Sequence, residues 1–214
     1  MKDGQIDRVT AVFDDWARRG RGESMARSHG AAARQAFDAL GLPDGPFRYL
    51  DVGCGNGYTV RWAQAKLGAH PGLCVGLDGS AEMVARAGDG VFLHARFPEH
   101  GREDVLQEAS FDAIFTMEVF YYLPDLGAGL AEVARLLRPG GRFACVVDYY
   151  QENPDSHGWP DDLGVAMNLL DTVGWRAAFE ASGLEVVDQR RLRVDDPGEP
   201  WKVTQGSLLT VGRR

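Results

Sequence analysis

Apolar and polar positions follow two different rhythms along this chain. Up to about residue 45 the sequence is rather polar with a helical period, which predicts helices over residues 7–19 and 30–40. The stretch "RRGRG" (residues 18–22) separates them as a solvated linker or an anion-binding feature. From Phe47 onward, short continuous apolar runs take over: "FRYLDVGC" (47–54), Leu73–Asp78, "VFLHA" (91–95), Phe111–Met117 and "RFACVVDYY" (142–150). Runs of this kind suit strands buried on both faces. Helical segments lie between them: residues 57–67, a segment capped by Ser80 and running through Ala87, and residues 125–137, which Pro139 and two glycines stop. Strand alternating with helix five times predicts an α/β fold, a mostly parallel sheet with helices on both faces. Beyond Tyr150 come an irregular stretch (151–162), a helix over about 163–182 and two final strands, "LEVVDQRRLRV" and "GSLLTVGR". A Pro/Gly-rich loop without a helix joins that last pair, so they pair antiparallel.

Composition narrows the class. The 214 residues, 44% hydrophobic and 25% charged, suit one generous globular domain. A net charge of −8 repels phosphate backbones, so no nucleic-acid partner is expected. Cys54, Cys74 and Cys145 form no CxxC pair and read as reduced thiols rather than a disulfide or metal site. No signal-like opening and no apolar run of about 18 residues is present, so the expectation is a cytoplasmic protein without a membrane span.

The candidate chemistry sits in "LDVGCGNG" (residues 50–57). In an open parallel sheet ligands bind beyond the carboxyl ends of the strands, and glycines there permit positive φ and direct contact with main chain. The dinucleotide fingerprint is GxGxxG. Here the spacing is GxGxG, with Asp51 two residues before Gly53, where it meets a cationic group rather than a pyrophosphate. A second acid, Asp78, ends the next strand, where a carboxylate can accept both hydroxyls of a ribose. A ligand with a ribose and an ammonium but no phosphate matches both acids: S-adenosylmethionine.

At these residues the chain resembles the class I S-adenosylmethionine-dependent methyltransferases of the small single-domain type. "LDVGCGNG" resembles the family's first motif, "GLDGSAEMV" the second, "FDAIFTMEVFYYLPD" the fourth-strand motif, and "LLRPGGRF" the turn into the fifth strand. The resemblance covers roughly residues 47–213. It implies a Rossmann-like seven-stranded sheet, mostly parallel with an antiparallel last strand. Residues 1–46 form a helical lid over an S-adenosylmethionine-binding domain at 47–214. It further implies that Gly53 and Gly55 approach the methionine part of the cofactor with Asp51 near its ammonium. Asp78 then holds the ribose, Gly79 and Met83 flank the adenine, and Met117 and Glu118 close the pocket near the sulfonium. The family often has a Gly-Asp-Ala-like step after the third strand; here "FLHARFPEH" replaces it. Two readings stay open there: main chain at Ala95–Arg96 meets the adenine edge, or Arg96 stacks on it. His29, in the lid, is either a cofactor or base contact or a surface histidine.

Methyl transfer from a sulfonium needs alignment of the acceptor and exclusion of water, and a base only if the acceptor enters with its proton. Glu118, Tyr150 and His157 are the candidates for proton removal. The 151–162 loop is a candidate for recognising a small-molecule methyl acceptor. No metal is expected, and the assembly expected is a monomer or homodimer. Two rival functions remain: an NAD(P)-dependent oxidoreductase, disfavoured by the GxGxG spacing, and a non-catalytic S-adenosylmethionine-binding sensor.

Overall fold

A computed structural model describes residues 2–196 and 198–214. The described residues form one seven-stranded sheet in the order β3-β2-β1-β4-β5-β7-β6. The strands are β1 (Arg48–Val52), β2 (Leu73–Asp78), β3 (Val91–His94), β4 (Phe111–Met117), β5 (Leu137–Val147), β6 (Glu185–Leu192) and β7 (Ser207–Arg213). β1 pairs in parallel with β2 and β4, β2 with β3, and β4 with β5. β7 runs antiparallel between β5 and β6. The α/β reading and the reversed last strand both stand.

The chain reverses direction in strand order at β1, whose neighbours are β2 on one side and β4 on the other. That switch point places a crevice at the carboxyl ends of β1, β2 and β4. Helices cover both faces. On one side α2 (Arg21–Ala39) and α3 (Tyr58–Leu67) bury Ala33, Ala36, Phe37, Val60 and Ala63 against Tyr49, Phe115 and Val146. On the other, α5 (Leu126–Leu136) and α7 (Thr172–Ala181) bury Leu130, Val133, Trp175 and Phe179 against Ile114, Phe143 and Cys145. The starts of α5 and α7 have a local cause. The Asp125 carboxylate accepts the Ala128 N–H at 3.0 Å to begin α5, and that of Asp171 accepts the Gly174 N–H at 2.6 Å to begin α7.

Several elements differ from the sequence reading, among them the helix capped by Ser80, which covers only Ala81–Val84 and stops short of Ala87. The N-terminal helices are longer, α1 (Lys2–Arg18) and α2, because only Arg19 and left-handed Gly20 interrupt them. Arg21 and Gly22 therefore lie inside a helix rather than a linker. The long helix expected at 163–182 forms only as α7 (Thr172–Ala181), while a short helix, α6 (Trp159–Leu163), lies in the stretch expected to be irregular and ends at left-handed Gly164. Between them Asn168 gives its amide to the carbonyls of Tyr121 and Leu123, at 3.2 and 2.7 Å, which holds the chain extended. "RPGG" does not stop α5. The helix ends at Leu136, and the Pro-Gly-Gly step forms an irregularity in β5, where the pairing shifts between Phe111/Leu137 and Ala113/Arg142. Finally, the loop before β7 carries a short helix, α8 (Trp201–Thr204).

Candidate active site

A cleft of about 1160 Å³, open to solvent, lies over the carboxyl ends of β1, β2 and β4 under α1 and the first half of α2. Its floor is the loop after β1. Gly53, Gly55 and Gly57 all have positive φ (75°, 52° and 75°), so none of these positions suits an L side chain. Their surroundings differ. A Cβ on Gly53 would lie 2.1 Å from Val119 Cγ2, and one on Gly57 would lie 2.6 Å from the Phe92 ring. A Cβ on Gly55 would meet nothing within 4 Å. Two of the three glycines are thus required by the protein's own packing. Only Gly55 presents bare backbone to open space in the cleft.

The Gly55 N–H donates to Asp78 Oδ2 at 2.8 Å, and the Ser80 N–H donates to Asp78 Oδ1 at 2.8 Å. Two amides thus orient the carboxylate that ends β2, and its remaining lone pairs are left for a ligand. Burial raises the Asp78 pKa, against the lowering effect of those two amides. Ser80 accepts the Met83 N–H at 3.1 Å, starting the short helix α4 (Ala81–Val84), and this seats Met83 in the cleft wall, 1% exposed. Asp51 is 2% exposed and accepts a hydrogen bond from the Thr59 hydroxyl. Burial, together with the nearby Asp78 charge, pushes the Asp51 pKa up to about 7.

Across the cleft, Glu118 follows β4 in the left-handed region, at φ 61°, although it carries a side chain. Its carboxylate accepts the Asp148 N–H at 2.6 Å and the Tyr121 hydroxyl at 2.8 Å. Burial, and then the neighbouring Asp148 carboxylate, drives the Glu118 pKa well up. Burial raises Asp148 too. Behind these acids lies Lys202, whose Nζ approaches Asp196 at 2.9 Å and also pairs with Glu199.

The cleft brings together most of the residues expected from the sequence. Asp51, Gly53, Gly55, Asp78, Gly79, Met83, Arg96, Met117, Glu118 and His29 all line it. Three candidates are not brought there. Tyr150 is fully buried, its hydroxyl donates to the Gly206 carbonyl at 2.7 Å and the Arg191 guanidinium covers its ring. His157 closes its own turn against the Gln151 carbonyl, 3.1 Å away, and is not among the residues that line the cleft. Neither lines the cleft, so neither is placed to take a proton from a ligand there. Ala95 lies outside the lining, and its N–H is already given to the Asp78 carbonyl at 3.1 Å. Arg96 does line the cleft, but its guanidinium pairs with Asp7 of α1 rather than standing free to stack.

Sequence reasoning missed the apolar wall. Ile6, Val9 and Phe13 of α1 line the cleft with Tyr58, Phe97, Val119, Tyr122 and Leu123. The 3–4 spacing of Ile6, Val9 and Phe13 was the available signal. The lid reading also changes in extent, since only the first half of α2 borders the cleft (Gly22, Met25, Ala26, His29) while its second half is core. Among the described residues no group of three or more His, Cys, Asp or Glu could hold a metal ion, and no helix is long and apolar enough to cross a membrane.

A switch-point cleft with an open glycine loop and an amide-oriented carboxylate ending the second strand defines a nucleoside-binding α/β protein. Comparison with known proteins sharpens this. A family model described as a methyltransferase domain matches residues 50–145. A chain of the complex between the Haloferax volcanii Trm112 methyltransferase activator and a methyltransferase is 33% identical, with TM-score 0.82, over 94% of this chain and 96% of that one. An S-adenosylmethionine-dependent methyltransferase from Mesorhizobium loti shares the fold at 24% identity and TM-score 0.66, over 86% of this chain and 99% of that one. Among curated relatives, cycloartenol-C-24-methyltransferase 1 of Oryza sativa is 28% identical over 92% of this chain. The chain spans 63% of that relative and 29% and 50% of the next two. This chain belongs to the class I S-adenosylmethionine-dependent methyltransferases.

The residues present fit that family's cofactor. Gly55 opens bare main chain beside Asp78, and a Cβ there would fill the space. Asp51 and Asp78 provide two carboxylates, and the arginine of the lining, Arg96, is paired with Asp7. Met83 and Met117 add soft thioethers to the wall.

Proposed function

We propose that this protein transfers the methyl group of S-adenosylmethionine to a small organic acceptor. The observation that carries the reading is the Gly55–Asp78 pair, in which the one of the three loop glycines facing open space also orients the β2 carboxylate. Gly55, Asp78, Asp51 and Met83 would hold the cofactor. When bound it supplies a methyl group on a sulfonium, already activated for transfer.

The chain's own contribution is positioning and exclusion of water. Alignment of donor and acceptor is worth up to about 7–11 kcal/mol, which is enough to dominate the acceleration. The α1 face of Ile6, Val9 and Phe13 keeps that side of the cleft dry. Glu118 is the candidate for holding or accepting the acceptor's proton, because its carboxylate lines the cleft and burial raises its affinity for a proton. The apolar wall favours an acceptor with apolar surface. Relatives and neighbours are named for sterol and geranyl diphosphate C-methylation and for N-methylation of 1,6-didemethyltoxoflavin. The unpaired, buried cysteines suit a reducing compartment such as the cytoplasm. The working unit is a monomer or homodimer, with an activator protein of the kind in the Haloferax complex as a further partner class.

Isothermal calorimetry with S-adenosylmethionine, S-adenosylhomocysteine and NAD tests the reading. Both sulfur ligands bind and NAD does not. Heat with NAD alone overturns it.

A further inference from the structure

The connection between β6 and β7 is longer than an antiparallel pair requires. Two to five residues close most hairpins, yet here residues 193–206 intervene and build α8. The product of that detour is a buried cation. Lys202 is 2% exposed, and its Nζ lies 2.9 Å from Asp196 and beside Glu199, both in the same connection. Burial alone would lower the Lys202 pKa, but the bonds to Glu199 and Asp196 outweigh it and hold the ammonium charged.

The same Nζ reaches α2. It donates to the Ser28 carbonyl at 3.1 Å and to the Ser28 hydroxyl at 2.5 Å, and Ser28 in turn donates to Glu199 at 3.2 Å. Ser28 occupies a particular place on that helix. N-terminal to it, Gly22, Met25 and Ala26 border the cleft, and His29 beside it does too. C-terminal to it, Ala32, Ala33, Ala36 and Phe37 are core. The contact therefore falls where α2 passes from buried scaffold to cleft wall. Its effect extends to charge. The charged groups facing His29 are Lys202, which disfavours imidazolium, and Glu199, which favours it; burial is the largest influence, and the pKa falls to about 4. Lys202 also eases ionisation of Glu118 and Asp148 behind the opposite wall.

We propose that Lys202 is a positioning residue for the cleft. Held by Asp196 and Glu199, it grips the Ser28 turn of α2 and so sets where the His29 imidazole meets a bound ligand. The ligand clause rests on the reading that S-adenosylmethionine occupies the cleft; the His29 clause does not.

The test compares the full-length wild type with Lys202→Met, Lys202→Gln and Lys202→Arg. The His29 imidazole is followed by NMR in the ligand-free protein, assigned against His29→Gln. S-adenosylhomocysteine binding is measured by calorimetry. In wild type the His29 signals stay flat from pH 5 to 8, as a value of about 4 requires. In Lys202→Met the titration moves up, because the charge that disfavours imidazolium is gone while Glu199 remains. Affinity for S-adenosylhomocysteine falls about tenfold. Lys202→Arg keeps the charge and restores both readouts to within about threefold. Should Lys202→Met fail to fold, Lys202→Gln, which keeps a donor for Ser28 without the charge, decides by the same His29 shift. An unshifted His29 in a folded, uncharged variant overturns the proposal, as does unchanged affinity in one. If wild type itself binds no S-adenosylhomocysteine, the reading of the cleft fails instead, and the His29 titration still decides the role of Lys202.

Discussion

The glycine loop separates folding from binding at single-residue resolution. Gly53→Ala places a methyl group 2.1 Å from Val119 Cγ2 at a φ of 75°. The left-handed backbone costs an alanine about 1–2 kcal/mol, and overpacking a filled site adds about 1–3 kcal/mol. The expected loss is therefore about 2–5 kcal/mol, a large share of the 5–15 kcal/mol that holds a typical domain folded. Gly55→Ala meets the same backbone penalty, at φ 52°, but no neighbour within 4 Å. It loses about 1–2 kcal/mol of stability. Its methyl group instead occupies cleft space, so S-adenosylhomocysteine affinity falls at least about tenfold, or 1.4 kcal/mol. Urea unfolding and calorimetry on both variants measure the two effects. A third variant relieves most of the clash: in a Val119→Ala background only the residue-119 Cβ remains near, at 3.1 Å, so Gly53→Ala should cost little more than the backbone portion, about 1–2 kcal/mol. Equal destabilisation by the two alanines, or a Gly53→Ala penalty indifferent to Val119, refutes the division of labour drawn between the glycines.

Four further outcomes follow from the same geometry. Asp78→Ala leaves the Gly55 and Ser80 amides without their carboxylate and removes the β2 acid, so S-adenosylmethionine binding weakens at least about tenfold; an unchanged dissociation constant excludes Asp78 from the site. Asp51 titrates near 7 when folded against a usual 3.8, so the ligand-free native state binds its proton more tightly than the unfolded chain. The stability this gives is complete below about pH 4 and is lost as pH rises through 7, on the order of 4 kcal/mol, and Asp51→Asn should flatten that slope in urea midpoints taken from pH 4 to 8. Tyr150→Phe removes one buried bond to the Gly206 carbonyl, costing about 1 kcal/mol in unfolding while S-adenosylhomocysteine still binds; lost binding with intact stability would return Tyr150 to the site. Glu118 is held left-handed at φ 61°, so Glu118→Gly should unfold at higher urea than Glu118→Ala by about 1 kcal/mol, and the reverse order means the backbone there is unstrained.

How much of this was legible in the sequence depends on the range of the interaction that decides each feature. Leu73–Asp78 and Phe111–Met117 are strands with the very bounds their apolar runs suggest, because strands buried on both faces record their environment in consecutive residues. The segment over 163–182 misleads because its break is made elsewhere: Asn168 is drawn out of a helix by the carbonyls of Tyr121 and Leu123, some 45 residues earlier. Nothing local distinguishes that asparagine from one tolerated inside a helix. "RPGG" carries stop residues, yet α5 has already ended at Leu136, and the glycines serve an irregular β5 edge whose Gly140 N–H pairs with the Arg214 carbonyl.

The site divides along the same line. Asp51, the glycines and Asp78 were readable because each sits at the carboxyl end of a strand, and strand ends at a switch point converge whatever the rest of the chain does. Tyr150 was misplaced because proximity in sequence to a strand end says nothing about direction. Its ring turns inward, and the Gly206 carbonyl absorbs its hydroxyl. Lys202 could not be found by pattern at all, since a lysine in a polar loop is ordinarily solvated. What makes it buried is a set of partners from three places: Asp196 and Glu199 nearby, and Ser28 some 174 residues earlier. A buried ammonium is tolerated only when its hydrogen bonds are met. The chain meets them by lengthening a hairpin that needed no length, and the same bonds tie the wall carrying His29 to the opposite end of the sequence. That convergence ties the cleft's shape to the completed fold: the wall that borders a ligand is held by a residue of the connection between the last two strands.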